Sequence, residues 1–244
     1  MDIRIGIMVP VWGRHRLAAA SLEWNRRALE RAGAEVVGVV VGSEGAKSKA
    51  VAEKAGFEYV EHKNQPLGAK CMAAVPTLQA ADCDAVMWLG SDDFISQAYA
   101  DFVVEKIDEG YQAISHRSCC FYNGNDRVYH ARFITGVGAT VSTALLDNLR
   151  WKMFDPTLTK YLDRSFKELV WDKANPAYVI TDCLYKNHIV PILDVKTDEN
   201  MWSMRAMRKI VKLDHRPANV FLDTHFRGLR KKLERITVTK QTDK

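Results

Sequence analysis

Residues 85–93 read Ala-Val-Met-Trp-Leu-Gly-Ser-Asp-Asp, an apolar run that ends on two adjacent carboxylates. A short continuous apolar run of this kind predicts a buried β-strand. Such a strand would deliver Asp92 and Asp93 to the carboxyl end of a sheet, where open α/β folds bind their ligands. Carboxylate oxygens at that position suit Mg²⁺ or Mn²⁺ carrying substrate phosphates. An Asp-Asp pair is equally typical of the cap of a following helix, and residues 95–108 have a helical pattern.

The segments around this run alternate between strand and helix patterns. Their βαβαβαβ order predicts an α/β fold with a Rossmann-like, mostly parallel central sheet and helices on both faces. Beyond it, a strand at 111–116 and a hairpin that turns at 123–126 are expected to add antiparallel strands. The expected strands are 3–9, 35–41 and 57–61, and the expected helices are 15–32, 46–55 (with Gly56 as its C-cap) and 68–81.

The composition is that of an ordinary globular protein, with 47% hydrophobic and 27% charged residues among 244. No apolar run approaches the roughly 20 residues that span a bilayer, and the N-terminal residues show no signal-peptide pattern. We therefore expect a cytoplasmic protein without a transmembrane segment. The five cysteines lack Cys-x-x-Cys spacing, which argues against a disulfide framework and a zinc site.

Positive charge is concentrated at the C-terminal end of the chain. From Arg205 onward there are 12 Lys or Arg and 4 Asp or Glu, a net charge of +8 in a chain of +5. We expect a main domain over residues 1–204 and a basic helical extension over 205–244 packed on it. The basic faces are either merely solvated or bind nucleic acid or an anionic membrane. Two amphipathic helices are expected, with Met204, Met207 and Val211 on the apolar side of one and Phe226, Leu229 and Leu233 on that of the other.

Two further segments carry groups that suit a nucleotide. Pro10 sets the chain direction just past the first strand, and Trp12 then offers an aromatic face to a nucleoside and Arg14 a charge to a phosphate. A half-buried aromatic covering the sheet edge is the alternative for Trp12. Gly68, at the start of a helix, would leave backbone N–H groups for a diphosphate, and Lys70 would add a charge to them. Lys70 equally fits a solvated helix position.

Five segments, in chain order, resemble the GT-A glycosyltransferases, in particular the inverting family 2 type and its compact phage-encoded members. The resemblance implies a GT-A fold and transfer of a sugar from a nucleotide sugar, with a UDP-sugar expected, to an acceptor hydroxyl. It places Ser91 in the donor-binding motif and Glu44 at the base or ribose. A segment after the last strand is expected to close over the donor, with Lys196 near the phosphates. The five segments are Met8–Arg14, Leu67–Lys70, Trp88–Asp93, Thr135–Ala139 and Tyr161–Ser165.

The metal-binding motif departs from the Asp-x-Asp form of that family. The register here is Gly90-Ser91-Asp92-Asp93, so Gly90 stands at the first acidic position. Asp92 and Asp93 remain to hold Mn²⁺ or Mg²⁺, which would offset charge on the departing nucleoside diphosphate. Many family members add a histidine ligand, for which this chain offers His188, His215 and His225.

Inversion at the sugar requires a general base near the acceptor hydroxyl. Asp163 lies where the family carries its acidic base, and Asp182 is the main rival. Asp163 could instead serve as a helix N-cap or pair with Arg164. Gly136 and Gly138 allow a close backbone approach, which would shape an acceptor pocket or serve only a tight turn.

Three classes of function fit parts of this pattern. A nucleotidyltransferase shares the early strand order, but residues 10–14 are not the Gly-rich loop that would hold its triphosphate. A non-enzymatic nucleic-acid-binding module explains the basic tail and leaves Asp92 and Asp93 without a role. We favour a sugar transferase. The basic tail favours DNA as the acceptor. The sugar would go to a hydroxymethylated base, as it does in compact phage relatives. A phage-encoded enzyme of this kind would act in the host cytoplasm. The alternative acceptor is a saccharide or a lipid-linked cell-envelope precursor.

Overall fold

The structure is a computed structural model that describes residues 3–131, 135–175, 179–183, 190–197 and 214–242. Its centre is a seven-stranded sheet. The first four strands in the chain run parallel to one another, and the strand at 135–142 lies antiparallel between two others. In spatial order the strands are Val179–Cys183 (β10), Ala113–His116 (β6), Thr135–Ser142 (β9), Ala85–Trp88 (β4), Arg4–Val11 (β1), Glu35–Gly42 (β2) and Glu58–Glu61 (β3).

A second, five-stranded sheet accompanies the first, and the sequence analysis did not separate it. The apolar run at 85–93 was expected to be one strand, but β4 ends at Trp88 and Asp93 begins a strand of this second sheet. Gly90 to Asp92 therefore form the corner where the chain leaves one sheet for the other. In spatial order its strands are Asp214–Pro217 (β12), Arg127–Ala131 (β8), Cys119–Tyr122 (β7), Ile192–Val195 (β11) and Asp93–Ile95 (β5).

The helices follow the predicted pattern with one correction. The single helix expected over 68–81 is two short helices, because Pro76 stands at the start of the second one and the chain turns before it. The described helices are His15–Arg31 (α1), Ala46–Ala55 (α2), Leu67–Met72 (α3), Val75–Ala80 (α4), Gln97–Asp108 (α5), Thr143–Asn148 (α6), Leu162–Leu169 (α7), Ala218–His225 (α8) and Leu229–Thr242 (α9).

Alternating side chains of the central strands divide the core into two layers. Ile7 and Met87 belong to the layer packed by α1 and α5, whereas Met8 and Trp88 belong to the layer packed by α7. The two sets of helices therefore cover opposite faces of the large sheet. A parallel sheet covered on both faces brings the carboxyl ends of β1, β2 and β4 to one edge.

The helix after the two carboxylates has its own cap. The Ser96 side chain accepts a hydrogen bond from Tyr99 N at 3.1 Å and so caps α5. Asp92 and Asp93 therefore do not serve as the N-cap residue of that helix, which removes the structural alternative raised by their position in the sequence.

The C-terminal helices pack on the small sheet and on α1. Phe226, Leu229 and Leu233 are buried there, as predicted, although Phe226 lies between α8 and α9 and not on one helix with the other two. Lys232 reaches Glu23 of α1 at 2.5 Å. The first expected amphipathic helix, at 204–212, lies outside the described residues, so the division into 1–204 and 205–244 stays a prediction.

No helix in the described part of the chain is long and apolar enough to cross a membrane. The strand order, the parallel half of the sheet and its two helical layers confirm the predicted α/β fold with a mostly parallel, Rossmann-like central sheet and helices on both faces.

Candidate active site

Three carboxylates meet at the edge where the two sheets join. Asp92 follows β4, Asp93 begins β5, and Asp194 lies opposite Asp93 in the antiparallel pair that β5 forms with β11. One oxygen of each carboxylate lies within 4.8 Å of the other two. Asp92 and Asp93 are buried, and Asp194 is nearly so. Three carboxylates held this closely, away from water, could together hold a cation.

Each of these carboxylates is held through one oxygen by a donor of the protein. Arg14 Nη1 donates to Asp92 Oδ2 at 2.7 Å, and the Gly90 backbone N donates to Asp93 Oδ2 at 2.6 Å. Lys196 Nζ lies 2.5 Å from Asp194 Oδ2. The other oxygen of Asp194, Oδ1, is buried and has no hydrogen-bond partner among the described residues. A buried carboxylate oxygen without a partner is an unmet requirement that a bound cation would satisfy.

The electrostatics of the group agree with this geometry. Burial raises the pKa of Asp194 to about 6, with a further contribution from Asp92, although Lys196 acts in the opposite direction. Burial, together with Asp194 and Asp92, also raises the pKa of Asp93 well above its ordinary value. The group therefore favours protons or another cation over three bare negative charges.

The histidines considered as metal ligands are not part of this group. His188 lies outside the described residues; His215 lies on β12 and His225 on α8, and neither belongs to the metal-ligating cluster among the described residues. Asp194, which the sequence analysis did not single out, takes the third position instead. The oxygen-only donor set suits Mg²⁺ or Mn²⁺.

Gly90 stands where the Asp-x-Asp form has its first acidic residue, and the Asp93 side chain uses the space beside it. A β-carbon at this position would collide with the Asp93 carboxylate and come within 3.2 Å of Asp92 Oδ1. The space that a side chain would need is thus taken by the two remaining carboxylates. A side chain at this position would displace the Asp93 carboxylate.

The turn after β1 lies beside the carboxylates. Gly13 and Arg14 both have a left-handed backbone, with φ of 61° and 46°. Glu44 Oε2 accepts a hydrogen bond from Gly13 N at 2.6 Å and lies 2.9 Å from His15 Nε2, so it braces this turn. Trp12 is 53% exposed, which leaves its face available for stacking. Pro10 precedes them within β1.

Gly68 and Lys70 do not form the open anion site that the sequence suggested. The Gly68 backbone N donates to Leu158 O at 2.8 Å, so it is already engaged. Lys70 is buried, and its ammonium donates to Val11 O at 2.7 Å and to Asn64 Oδ1 at 3.0 Å. Burial lowers the pKa of Lys70 to about 8. Lys70 thus supports the end of β1 from beneath.

Asp163 lies at the other side of the same edge, at the start of α7. Its Oδ1 accepts a hydrogen bond from Gly136 N at 2.6 Å. The residue has exposed surface, yet packing around the carboxylate raises its pKa, while the Gly136 hydrogen bond acts in the opposite direction. A base with a raised pKa and access to solvent can accept a proton from a bound hydroxyl. Asp182 lies on β10, separated from β9 by β6, and its side chain is outside the described part.

Buried polar side chains contact the backbone carbonyl oxygens of the Gly136–Gly138 segment. Tyr99 Oη donates to Gly138 O at 2.8 Å, and His116 Nε2 lies 2.8 Å from Val137 O. Gly138 has φ of 75°, a left-handed conformation that favours glycine. Gly136 packs against Trp88 so closely that a β-carbon would come within 2.6 Å of its ring. The segment is therefore a fixed wall next to Asp163.

Several residues of this edge were missed from the sequence. Asp194 ends an apolar run, Val190 to Leu193, just as Asp92 follows one, and this repeated pattern was the available signal. Ser43 Oγ, just after β2, and Tyr59 Oη, within β3, are buried without partners among the described residues, and no sequence pattern marks them. Tyr161 is 68% exposed with φ of 65°, two residues before Asp163.

Comparison with known proteins supports the fold. No protein-family profile matches the chain, and no curated protein sequence matches it either. Among solved structures, a 1–349 fragment of S. aureus TarS in complex with UDP-GlcNAc matches 81% of the chain with a TM-score of 0.56 and 15% identity. The same fragment in complex with UDP matches 84% of the chain, with a TM-score of 0.55 and 14% identity.

The structure of the longer TarS chain matches 96% of this chain, with a TM-score of 0.52 and 13% identity. The chain covers only 60% of the TarS fragment in the UDP-GlcNAc complex, 64% in the UDP complex and 43% of the longer TarS chain. At these identities the likeness concerns the fold alone.

Proposed function

We propose that this protein transfers a sugar from a nucleoside-diphosphate sugar to an acceptor hydroxyl, with the help of Mn²⁺ or Mg²⁺ and with inversion at the sugar. The observation that carries the proposal is the meeting of Asp92, Asp93 and Asp194 beside the β1 turn, opposite Asp163 at the same sheet edge. The fold likeness to TarS bound to UDP-GlcNAc supports UDP as the nucleotide.

The donor nucleoside would lie over the turn that follows β1. Trp12 would stack on the base, because its face is exposed there. Ser43 Oγ and Tyr59 Oη, buried and unpartnered among the described residues, would supply hydrogen bonds to the base or ribose. Glu44 would contribute mainly by holding Gly13 in place, and Lys70 by supporting Val11.

Asp92, Asp93 and Asp194 would hold the cation, which neutralises charge on the leaving diphosphate when bound. Their oxygens fit it, because Asp194 Oδ1 has no partner among the described residues and Arg14, Gly90 and Lys196 orient the three side chains. Arg14, with Ser91 beside it at 3.1 Å, and Lys196 would then contact phosphate oxygens.

Asp163 would act as the general base. In the proposed reaction the acceptor oxygen bonds to the anomeric carbon as the bond from that carbon to the diphosphate oxygen breaks. The hydroxyl proton goes to Asp163, and the nucleoside diphosphate leaves with the electron pair of the broken bond. Gly136 N keeps the carboxylate aimed, and Tyr161 offers an exposed aromatic face to the acceptor.

For the acceptor we propose a hydroxymethylated base in DNA, on the strength of the exposed basic side chains Arg227, Lys231 and Arg235. These lie at the α8–α9 end, which packs on the α1 side, whereas Asp163 lies on α7 across the large sheet. A DNA acceptor would therefore have to extend past the small sheet to contact both the basic side chains and Asp163. A saccharide or lipid-linked acceptor would need only the Asp163 side.

The test is transfer of labelled sugar from UDP-sugars, in Mn²⁺ or in EDTA, to three acceptors: duplex DNA with 5-hydroxymethyl bases, a soluble saccharide, and a lipid-linked saccharide. We expect metal-dependent release of UDP that Asp92→Asn reduces by orders of magnitude. Full activity in EDTA, together with full activity of Asp92→Asn, would refute the requirement for a metal ion. Transfer to a saccharide but not to DNA, unaffected by reversing the charge of Lys231, would refute the DNA acceptor.

A further inference from the structure

Two cations accompany the three carboxylates in a shielded group. The Arg14 guanidinium and the Lys196 ammonium each contact a carboxylate oxygen, at 2.7 and 2.5 Å. Their side chains are only 13% and 9% exposed. With all five groups ionised, three negative and two positive charges leave a total of −1. Such a group is weakly screened by salt, since the charges are held away from water.

Arg14 is held in this position by its backbone. It follows Gly13 in a left-handed conformation, with φ of 46°, which residues other than glycine adopt only at a cost in free energy. Glu44 fixes the preceding turn through Gly13 N. The guanidinium donates one hydrogen bond to Asp92 and another to Ser91 Oγ. A strained backbone that aims a cation at carboxylates is typical of a functional position.

The two positive charges of Arg14 and Lys196 offset most of the attraction that the three carboxylates exert on a divalent cation that arrives alone. A charge of +2 added to the group changes its total from −1 to +1 in a site where charges interact strongly. A nucleoside diphosphate, which carries several negative charges, restores a negative balance and offers acceptors to both cationic side chains. The buried, unpartnered Asp194 Oδ1 marks the face on which the cation would enter.

We propose that Arg14 and Lys196 weaken the binding of a free divalent cation, so that the site takes the cation together with the nucleoside diphosphate. This inference rests on the proposed function, because it uses the same carboxylates and the same donor. The alternative is that Arg14 and Lys196 only orient the carboxylates, as outer-shell partners of metal ligands often do. The two roles predict opposite changes in metal affinity when a cation is removed.

The experiment measures Mn²⁺ binding by electron paramagnetic resonance, with and without saturating UDP, and UDP binding by calorimetry in saturating Mn²⁺. The variant is Arg14→Gln, with Arg14→Lys as the conservative replacement. Arg27→Gln is the matched control, since it removes an equal charge from an exposed position on α1. No sugar transfer is needed for any of these measurements.

We expect Arg14→Gln to bind free Mn²⁺ about 10-fold tighter, because a neighbouring positive charge is gone, and to bind UDP in Mn²⁺ about 10-fold weaker. Arg14→Lys, which keeps the positive charge, should bind free Mn²⁺ as weakly as the wild type does, and Arg27→Gln should change neither affinity. Lys196→Gln should repeat the pattern and provides a second test if Arg14→Gln does not fold. Weaker or unchanged binding of free Mn²⁺ in folded variants would overturn the inference while leaving the proposed function standing. A wild-type protein that binds no Mn²⁺ even with UDP would overturn both.

Discussion

Asp93 and Asp194 lie directly opposite each other in a pair of short antiparallel strands, although 101 positions separate them in the chain. Two carboxylates facing each other across a ladder repel and destabilise the pair unless a cation lies between them. The arrangement therefore joins the small sheet to the carboxyl edge of the large one at the point where a metal is expected to bind.

Replacing Asp194 by asparagine should impair the metal site and keep the fold. The substitution Asp194→Asn preserves the size of the side chain but removes one charge and the ion pair with Lys196. We expect Mn²⁺-supported binding of UDP to weaken by about 10-fold or more, the effect typical of losing part of a metal site. Calorimetric titration with UDP measures this. Asp126→Asn, at an exposed turn, is the control. Equal affinities in the two variants would exclude Asp194 as a ligand.

Replacing Asp163 by asparagine should slow sugar transfer by roughly 10²- to 10⁴-fold, because the variant lacks a proton acceptor at the hydroxyl. Donor binding should change little, since Asp163 lies across the edge from the β1 turn. Single-turnover rates and UDP affinity together check the prediction. Asp172→Asn, whose exposed carboxylate pairs with Lys167 in the wild type, is the control. Normal rates in Asp163→Asn with loss in Asp182→Asn would transfer the base role to Asp182.

His116 should make the protein less stable in acid. Burial lowers its pKa from 6.5 to about 4, so the unfolded chain binds a proton there at a higher pH than the folded protein does. Stability should therefore fall as the pH falls from about 6.5 to about 4, by roughly 3 kcal/mol for this group. Urea unfolding at several pH values should show this loss in the wild type and a shallower loss in His116→Gln. His62→Gln, a surface change, should retain the wild-type slope.

Leu229 tests whether the C-terminal helices belong to the main folding unit. This residue begins α9, and its side chain is fully buried against α1 and the small sheet. Leu229→Ala should lower the free energy of unfolding by about 2 to 5 kcal/mol in a single cooperative transition. Lys231→Ala, at an exposed position, should change it by less than about 0.5 kcal/mol. A separate early transition in Leu229→Ala would show that the extension unfolds on its own.

Most of the large sheet could be predicted from the chain, because its strands are marked by local patterns. Continuous apolar runs such as 35–41 are typical of strands buried on both faces, and Gly56 at a positive φ ends α2 where the pattern placed it. The error over 68–81 was also local, since Pro76 marked the break. The β7–β8 hairpin of the second sheet confirms the turn predicted at 123–126. The rest of that sheet could not be predicted, because β5 has only three residues and pairs with β11 from far along the chain.

Only part of the candidate site was predicted from the sequence. Asp92 and Asp93 were singled out because they follow an apolar strand, and Asp163 because its segment resembles a known family, and the roles of all three stay predictions. The open anion site expected at Gly68 and Lys70 is not present, since a helix start looks the same in sequence whether its N–H groups are open or, as at Gly68, one of them donates to Leu158.

The sequence by itself determined the order of strands and helices, the two carboxylates after residue 91 and the basic tail, because each is carried by neighbouring residues with a period or a charge. Only the tertiary structure decided that Asp194 joins Asp93, that Arg14 faces Asp92, and that α7 and the basic helices lie on opposite sides of the large sheet. These relationships depend on strand order and on packing between segments that are distant in the chain. No pattern of neighbouring residues encodes either of them.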